Sequence, residues 1–404
     1  MSRASSLRLA IAGFLLAFGA CVAAHAADTV RPEVGKPLKA AEALLKSGKS
    51  RDALAKINEA DAVPNKTAYE SLLVQQMRGS AAHAAGDLPT AIKSFEAVIA
   101  SGHVSGREQL ALVQAVAVDY YKLKDYAKAA QWAQRYFKDG GTEPAMRSVL
   151  LQSYFLGNDC ASVSRMLGGA GGEETGRKPA EEELEILRSC YRREKDDAGY
   201  VAATERLILY YPKKEYWTEM LARVQRKPGF SDRLSVHVYK LRLATGNFTT
   251  ANDYMELAQL ALQDGVPAEA KIVMDKGYAA GVLGKGDQAA RQQRLRDLVE
   301  KSLAESRKTR EQDERNAADA RDGGELVKVG LNYVYEGKAD KGLALIEKGI
   351  RKGNLKRPED AKLRLGEAEL HAGHRNRAVQ TLRTIHGNDG AADIARLWVL
   401  QARA

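Results

Sequence analysis

The feature that most constrains this chain is a set of short polar turns that recur at nearly constant spacing. The turns centre on Gly48, Gly86, Lys124 and Gly157, which gives intervals of 38, 38 and 33 residues. Apolar residues recur at helical spacing on both sides of each turn, which predicts a helix before it and another after it. Periods of this length are typical of helical hairpin arrays, in which each hairpin buries its apolar face against its neighbours.

A second regularity follows each turn. A small residue stands at a fixed offset, and a second side chain stands four residues later. The small residues are Ala53, Ala91, Ala129 and Ser162, and the later ones are Ile57, Phe95, Ala133 and Met166. The pattern resembles the tetratricopeptide repeat, in which the small residue lets the two helices cross closely.

The resemblance extends over most of residues 34–404. Its further signatures are Leu187, Tyr191 and Pro212, then Gly265, Ala270 and Met274, then Gly337 and Ile346, then Gly366, Gly373, Ala378 and Leu382. It implies an all-α fold, a tetratricopeptide-type helix-hairpin solenoid with a capping helix at its C-terminus.

Two interruptions divide the predicted array, a Gly-rich stretch and a charged segment. The charged segment, 285–322, contains ten basic and nine acidic residues and no aromatic residue. Its first half has apolar residues at helical spacing and should pack, whereas 306–322 lacks large apolar side chains and is expected to be a solvated helix or a tether. The predicted parts are a signal peptide 1–26, an N-terminal array 27–167, a Gly-rich loop 168–180, central hairpins 181–284, the charged helical insert 285–322 and a C-terminal repeat pair with its cap 323–404.

The N-terminus has the pattern of a Sec-type signal peptide. Arg3 and Arg8 precede an apolar stretch from Leu9 to Ala20, and an Ala-His-Ala sequence ends at Ala26. We therefore expect a periplasmic protein. The alternative is lipidation at Cys21, which would make an outer-membrane lipoprotein. No later stretch approaches the roughly 20 apolar residues that a membrane-spanning helix needs, so no transmembrane segment is predicted in the mature chain.

The mature chain keeps two cysteines, Cys160 and Cys190. In an oxidising compartment such a pair favours a disulfide over a redox or metal site. The repeat frame places the two residues at the same end of neighbouring antiparallel helices. The alternative is a pair of unpaired buried thiols.

Catalytic motifs are absent from the sequence. Neither HExxH nor GxSxG occurs, and Gly373 separates His371 from His374, so these histidines and Glu367 do not form a convincing metal set. We predict no cofactor, no metal and no enzymatic activity. An active site assembled from distant residues in the groove is kept as an alternative.

Tetratricopeptide proteins bind extended peptides or helices on the concave side, which the first helix of each hairpin forms. On this frame the predicted groove residues are Gln76, Ser80, His83, Gln114, Tyr121, Arg147, Tyr154 and Arg192. The two tyrosines could equally pack against the next helix. The paired Lys and Asn that the family uses to clamp a terminal carboxylate are not matched, because Gln76 with Ser80 and Gln114 with Val118 occupy those positions.

A basic ridge is the second candidate surface. It consists of Lys348, Arg351, Lys352, Lys356 and Arg357, which fall within ten residues that contain no acid. Such a ridge could meet an anionic envelope surface, or it could be a solvated face that keeps the protein soluble. Nucleic acid is not an expected partner outside the cytoplasm.

These features together predict an adaptor that binds another protein of the bacterial envelope. Residues 31–63 are similar to periplasmic tetratricopeptide proteins described as accessory components of TonB systems. One alternative is a scaffold for exopolysaccharide or peptidoglycan assembly. Another is an enzyme whose site lies in the solenoid groove.

Overall fold

A computed structural model describes residues 29–168 and 177–404. The regular secondary structure in these ranges is entirely helical, without strands. The predicted all-α fold of consecutive helical hairpins is confirmed. The predicted signal peptide, Cys21 and residues 169–176 of the predicted Gly-rich loop lie outside the described residues.

The chain divides into two compact units. The first contains the described residues up to Arg177 together with Ser189–Lys195, and the second contains Lys178–Arg188 and Asp196–Ala404. This division falls close to the predicted loop at 168–180. The boundaries predicted at residues 284 and 322 lie inside the second unit.

The first unit is a succession of helix–turn–helix hairpins. Its helices are α1 Pro32–Lys46, α2 Ser50–Asp61, α3 Ala68–Ala85, α4 Leu88–Ala100, α5 Gly106–Lys122, α6 Tyr126–Lys138, α7 Pro144–Leu156 and α8 Cys160–Leu167. The next helix, α9, spans Glu181–Glu194 and contributes residues to both units. First helices of successive hairpins also contact each other, as α1 does α3 and α5 does α7.

The turns of these hairpins share one backbone conformation. Gly86, Lys124 and Asn158 adopt positive φ angles of 81°, 64° and 60°. An aspartate follows each of them and caps the second helix, as Asp87 does by accepting a hydrogen bond from the Thr90 backbone amide. A left-handed residue ends one helix and a carboxylate begins the next, which explains why these short turns recur in the sequence.

The small residues predicted at the helix crossings are buried. Ala53, Ala91 and Ala129 have no exposed surface, and Ser162 is almost as buried. At the crossing of α3 and α4 the space is also tight, because a Cβ atom at Gly79 would lie 2.5 Å from the ring of Phe95. The close approach of the two helices therefore depends on small side chains, as the repeat pattern predicts.

The second unit continues with helices of more varied length. They are α10 Asp197–Tyr210, α11 Lys214–Gln225, α12 Ser235–Ala244, α13 Ala251–Gln263, α14 Pro267–Ala279, α15 Ala289–Asp319, α16 Gly324–Tyr335, α17 Ala339–Lys352, α18 Pro358–His371, α19 Arg375–Arg383 and α20 Ala391–Arg403. A short 3-10 helix, Asp232–Leu234, precedes α12.

Helix α20 covers the last hairpin, α18 and α19, as expected of a cap. It also packs against α10 and α12, and its Leu397 and Trp398 join Trp217 in one apolar core. The segment before α12 is tied to the C-terminal region by charge, since Arg233 donates to Asp360 at 2.9 Å and Lys227 pairs with the Asp393 carboxylate at 2.8 Å.

The charged insert forms one continuous helix, α15. Its first half packs through Leu295, Val299 and Leu303, as predicted. Its second half is ordered as well: Arg310 is buried and pairs with Glu336, and Ala317 is buried. The segment 306–322 is expected from the sequence to be a solvated helix or a tether. It is not a tether, because ion pairs hold it in place where apolar side chains are missing. None of the helices within 29–168 and 177–404 is both long and apolar enough to cross a bilayer.

Candidate protein-interaction surfaces

The inner face of the first unit is defined here as the polar side of α3, α5 and α7. Gln76 on α3 donates from Nε2 to Oε1 of Glu108 on α5 at 2.9 Å. Tyr121 on α5 donates from its hydroxyl to Oε1 of Gln152 on α7 at 2.6 Å. Polar side chains thus bridge the first helices of successive hairpins and fix their spacing.

A buried carboxylate joins α3 to α5. Asp119 has no exposed surface, and its Oδ2 is 2.8 Å from Nδ1 of His83, whose side chain is 29% exposed. Its Oδ1 accepts no hydrogen bond from the described residues, and Lys122 Nζ lies 3.7 Å away. Asp119 therefore links α3 to α5 from a buried position, and the ion pair with Lys122 offsets part of the cost of burying its charge.

Two further predicted groove residues belong to this face. Ser80 lies between Gln76 and His83 on the same side of α3 and donates to the backbone oxygen of Gln76 at 3.0 Å. Gln114 is half-buried and lies two helical turns before Tyr121, so the two residues share a side of α5. The structure therefore places Gln76, Ser80 and His83 on one side of α3, and Gln114 with Tyr121 on one side of α5.

Arg147 and Tyr154 do not join them. Tyr154 follows Gln152 by two residues, which places it about 200° around α7 from the residue that binds Tyr121. The Tyr154 hydroxyl instead accepts a hydrogen bond from Gln134 on α6. Arg147 precedes Tyr154 by two helical turns and shares its side. The structure therefore places Arg147 and Tyr154 on a different side of α7 from Gln152, apart from the other predicted groove residues.

These two residues line a separate hollow between α6, α7 and α8, with a volume of about 330 Å³. Its lining residues are Gln134, Phe137, Arg147, Leu150, Tyr154, Ser162, Arg165 and Met166. Burial raises the pKa of Tyr154, which keeps its hydroxyl protonated and able to hydrogen bond. The hollow combines an apolar floor with two guanidinium groups.

Helix α8, which forms one wall of the hollow, is held by a disulfide. Cys160 at its first position is bonded to Cys190 on α9, with the two Cα atoms 5.2 Å apart. Both residues belong to the first unit. Arg192, also predicted for the groove, lies exposed on α9 two residues after Cys190.

The predicted basic ridge lies at the end of α17 and the start of α18. Lys352 donates to the backbone oxygen of Ala318 at 2.6 Å and so caps the C-terminus of α15. Arg351 is 3.5 Å from Glu347. The other ridge residues, Lys348, Lys356 and Arg357, are exposed. One of the five cations is therefore committed to the fold.

The second unit contains a buried ionic cluster that the sequence does not reveal. Glu367 on α18 lies 2.7 Å from Nδ1 of His237 and 3.2 Å from Nζ of Lys240, both on α12. Lys240 also pairs with Glu269 of α14 at 2.9 Å, and Trp398 of α20 donates to Glu367 at 2.9 Å. Four helices that are distant in the sequence thus converge on one set of charges.

The charges in this cluster stabilise each other. Burial alone would raise the pKa of Glu367, but the adjacent His237 and Lys240 outweigh it and lower that pKa to about 2. Burial alone would lower the pKa of Lys240, yet the carboxylates of Glu269 and Glu367 raise it above its ordinary value. The cluster is therefore held by ionised groups around neutral pH.

The histidines considered as metal ligands are placed differently. Glu367 belongs to the ionic cluster. The ring of His371 packs against the ring of Tyr335, with 4.7 Å between the two ring centroids. Burial lowers the pKa of His371. His374 precedes α19. Within the described part of the chain no group of His, Cys, Asp and Glu residues is arranged to hold a metal ion.

The residues that sequence reasoning missed are those paired over long distances. Asp119, Glu108 and Gln152 look like ordinary polar helix positions, and so do His237 and Lys240. The helical period of α5 could have placed Asp119 on its buried side, since it follows Val116 by three residues. No local pattern could have paired His237 with Glu367, which lies 130 residues away.

No protein-family model matches this chain. No curated protein matches it either. Among solved structures, it is similar to a chain in the structure of Naa15/Naa10 bound to HypK-THB, with 14% identity and a TM-score of 0.33, over 87% of this chain and 58% of that one. It thus spans less than two thirds of that chain. It is also similar to yeast Tom70, with 11% identity and a TM-score of 0.25, over 91% of this chain and 95% of that one.

Proposed function

We propose that this protein is a non-enzymatic adaptor of the bacterial envelope that binds another protein along the inner face of its first unit. The observation that carries the proposal is the row of half-buried polar side chains on the first helices of successive hairpins, Gln76 and His83 on α3 and Tyr121 on α5. The exposed parts of these amide, imidazole and phenol groups can hydrogen bond to a bound segment.

The proposed location is the periplasm. Two observations support it: the signal-peptide pattern that ends at Ala26, and the Cys160–Cys190 disulfide, a bond that persists in oxidising compartments. Cell fractionation followed by N-terminal sequencing tests the location. We expect a soluble periplasmic chain that begins at Ala27. A chain that keeps residues 1–26 in the cytoplasm, or a lipid on Cys21, would overturn it.

Photocrosslinking in living cells tests the binding face. A photoreactive phenylalanine derivative replaces Tyr121 on the inner face, and in a matched variant it replaces the exposed Gln131 on α6. We expect one discrete protein adduct from position 121 and none from position 131, with mass spectrometry identifying the same envelope protein in repeated experiments.

A third variant strengthens this test. Replacing Gln76 by Ala removes a half-buried amide from α3 and should weaken the adduct from position 121 if the bound segment follows the inner face. Charge reversal at Lys356 and Arg357 should leave that adduct intact. If only the charge reversal abolishes it, the basic ridge is the binding surface and the proposed inner face is wrong.

A further inference from the structure

We propose that the hollow between α6, α7 and α8 is a second binding site of the first unit, and that it takes an acidic peptide segment in which a carboxylate adjoins a large apolar side chain. This inference rests on the proposed function, because it names the chemistry of a protein partner. It concerns a different surface from the inner face, since Arg147 and Tyr154 lie on the side of α7 opposite Gln152.

The shape and lining of the hollow favour this class of ligand. A volume of about 330 Å³ accommodates one or two side chains, not a folded domain. Leu150, Phe137 and Met166 supply apolar surface, and Leu150 is 8% exposed. A Leu or Phe side chain of a peptide would bury apolar area against these three residues.

The charge of the lining residues determines the sign of the charge that a ligand should carry. One of the lining side chains, Arg165, is an exposed cation, and none of the described lining residues is acidic. The nearest described carboxylate on α8 is Asp159, which accepts a hydrogen bond from the Ser162 backbone amide at 3.0 Å and caps that helix. Guanidinium groups bind carboxylates through charge-assisted hydrogen bonds, so the complementary ligand is anionic.

Arg165 is the residue best placed to receive the carboxylate. It is exposed on α8, and its guanidinium donates to the Ser162 hydroxyl at 2.8 Å. That contact orients the side chain while leaving other N–H groups of the guanidinium available to a ligand. The Tyr154 hydroxyl, which is bound by Gln134, adds a polar group at the other side of the hollow.

Peptide selection on the purified, oxidised mature chain tests the proposal without assuming a sequence. A random peptide library displayed on phage is selected on this protein, and the enriched peptides are synthesised with blocked ends and a fluorescent label. We expect enrichment of Asp or Glu beside Leu, Ile or Phe. Binding is then measured by fluorescence anisotropy.

Variants locate the site. Arg165→Ala should weaken binding of the selected peptide about tenfold or more, and Arg165→Lys should weaken it less. A peptide with Asn and Gln in place of its acids should bind the unaltered chain about as weakly as the selected peptide binds Arg165→Ala. The control is Arg135→Ala on α6, whose side chain pairs with Asp139 outside the hollow; it should bind normally. Because Arg165 is exposed, thermal unfolding should confirm that each variant is folded.

The outcomes separate this inference from the proposed function. Enrichment without an acidic and apolar motif, or equal affinity for Arg165→Ala and the unaltered chain, overturns the hollow as a site, while crosslinking at position 121 can still succeed. If crosslinking fails but the selected peptide depends on Arg165, the hollow stands as a peptide site and the inner face does not.

Discussion

At the scale of single residues, the largest departure from sequence expectation is the ionic cluster around Glu367. Lysine, glutamate and histidine are seldom buried, and helical periodicity alone would place them on solvated faces. Their burial is possible because each charge meets an opposite one from another helix: Glu367 lies between His237 and Lys240, and Lys240 lies also against Glu269. Such pairings fix which helices meet more than they add stability.

Replacing Glu367 by Gln tests this cluster. Gln keeps the shape but removes the charge that the buried Lys240 requires, so the free energy of unfolding near pH 7 should fall by about 3 kcal/mol. The folded pKa of Glu367 is about 2 and its ordinary value is 4.5. The stabilisation is therefore present above the ordinary pKa and is lost as the pH falls from about 4.5 towards 2.

The measurement is chemical denaturation of both proteins at neutral and acid pH. The difference between the unaltered chain and Glu367→Gln should shrink as the pH falls below about 5. The matched control is Glu325→Gln on α16, whose carboxylate forms an exposed pair with Lys328 and should contribute less than about 1 kcal/mol. A pH-independent difference would show that Glu367 is not held ionised by its neighbours.

Residue patterns predicted local structure well and side-chain partners poorly. The turns at Gly86, Lys124 and Asn158 could be found because backbone conformation and capping are local properties. The side of α7 on which Tyr154 lies is harder to predict, because a shift of one or two residues in a degenerate repeat rotates a side chain by 100° for each residue. Partners such as Asp119 for His83 depend on packing between repeats.

At the scale of helices, the α16–α17 hairpin carries a glycine where its neighbours carry alanine. A Cβ atom at Gly342 would lie 2.6 Å from the backbone oxygen of Gly330 and 2.5 Å from Cγ2 of Val334. A backbone oxygen cannot rotate away as a side chain can. Gly342 is therefore what lets α16 and α17 cross this closely.

Gly342→Ala should destabilise the protein even though alanine is the better helix former. Helix propensity favours Ala by about 1 kcal/mol, whereas overpacking at this contact should cost about 1 to 3 kcal/mol, so we expect a net loss. The control is Gly35→Ala in α1, where the new Cβ would meet Val30 at an ordinary 3.5 Å and should be neutral or stabilising. Equal effects of the two substitutions on thermal unfolding would argue against the close crossing.

A second feature at the scale of helices is the disulfide between Cys160 and Cys190. It joins α8, an eight-residue helix, to α9 across 30 residues of sequence. In the chain-entropy model a loop of this length contributes about 3 kcal/mol. Because Ser162, Arg165 and Met166 all lie on α8, the bond should also hold one wall of the hollow in place.

Reduction should therefore lower both the unfolding temperature and the affinity for the selected acidic peptide. The measurements are calorimetry and fluorescence anisotropy with and without dithiothreitol, on the mature chain lacking residues 1–26. The Cys160→Ser and Cys190→Ser double variant should behave like the reduced protein and not respond to the reductant. Labelling of two free thiols in the unreduced, denatured chain would contradict the prediction.

At the scale of the whole molecule, the all-α class and the succession of hairpins could be predicted because every hairpin repeats the same local rule. The charged insert was harder, since α15 is held by ion pairs such as Arg310 with Glu336 instead of by an apolar stripe. The two units also differ in where their charged and polar groups lie. The first has half-buried polar side chains and a cationic hollow on its helices, while the charges buried in the second join α12, α14, α18 and α20.

This difference predicts that binding and stability respond to separate substitutions. Arg165→Ala removes an exposed cation from the first unit, so it should weaken peptide binding and leave the unfolding temperature within about a degree or two of the unaltered chain. Glu367→Gln should lower the unfolding temperature and leave the peptide affinity unchanged at room temperature, where the variant is still folded. Both quantities are measured on the same preparations of each variant. If Glu367→Gln weakens peptide binding while its circular dichroism spectrum is unchanged, the ionic cluster controls the hollow, and the functional independence of the two units is wrong.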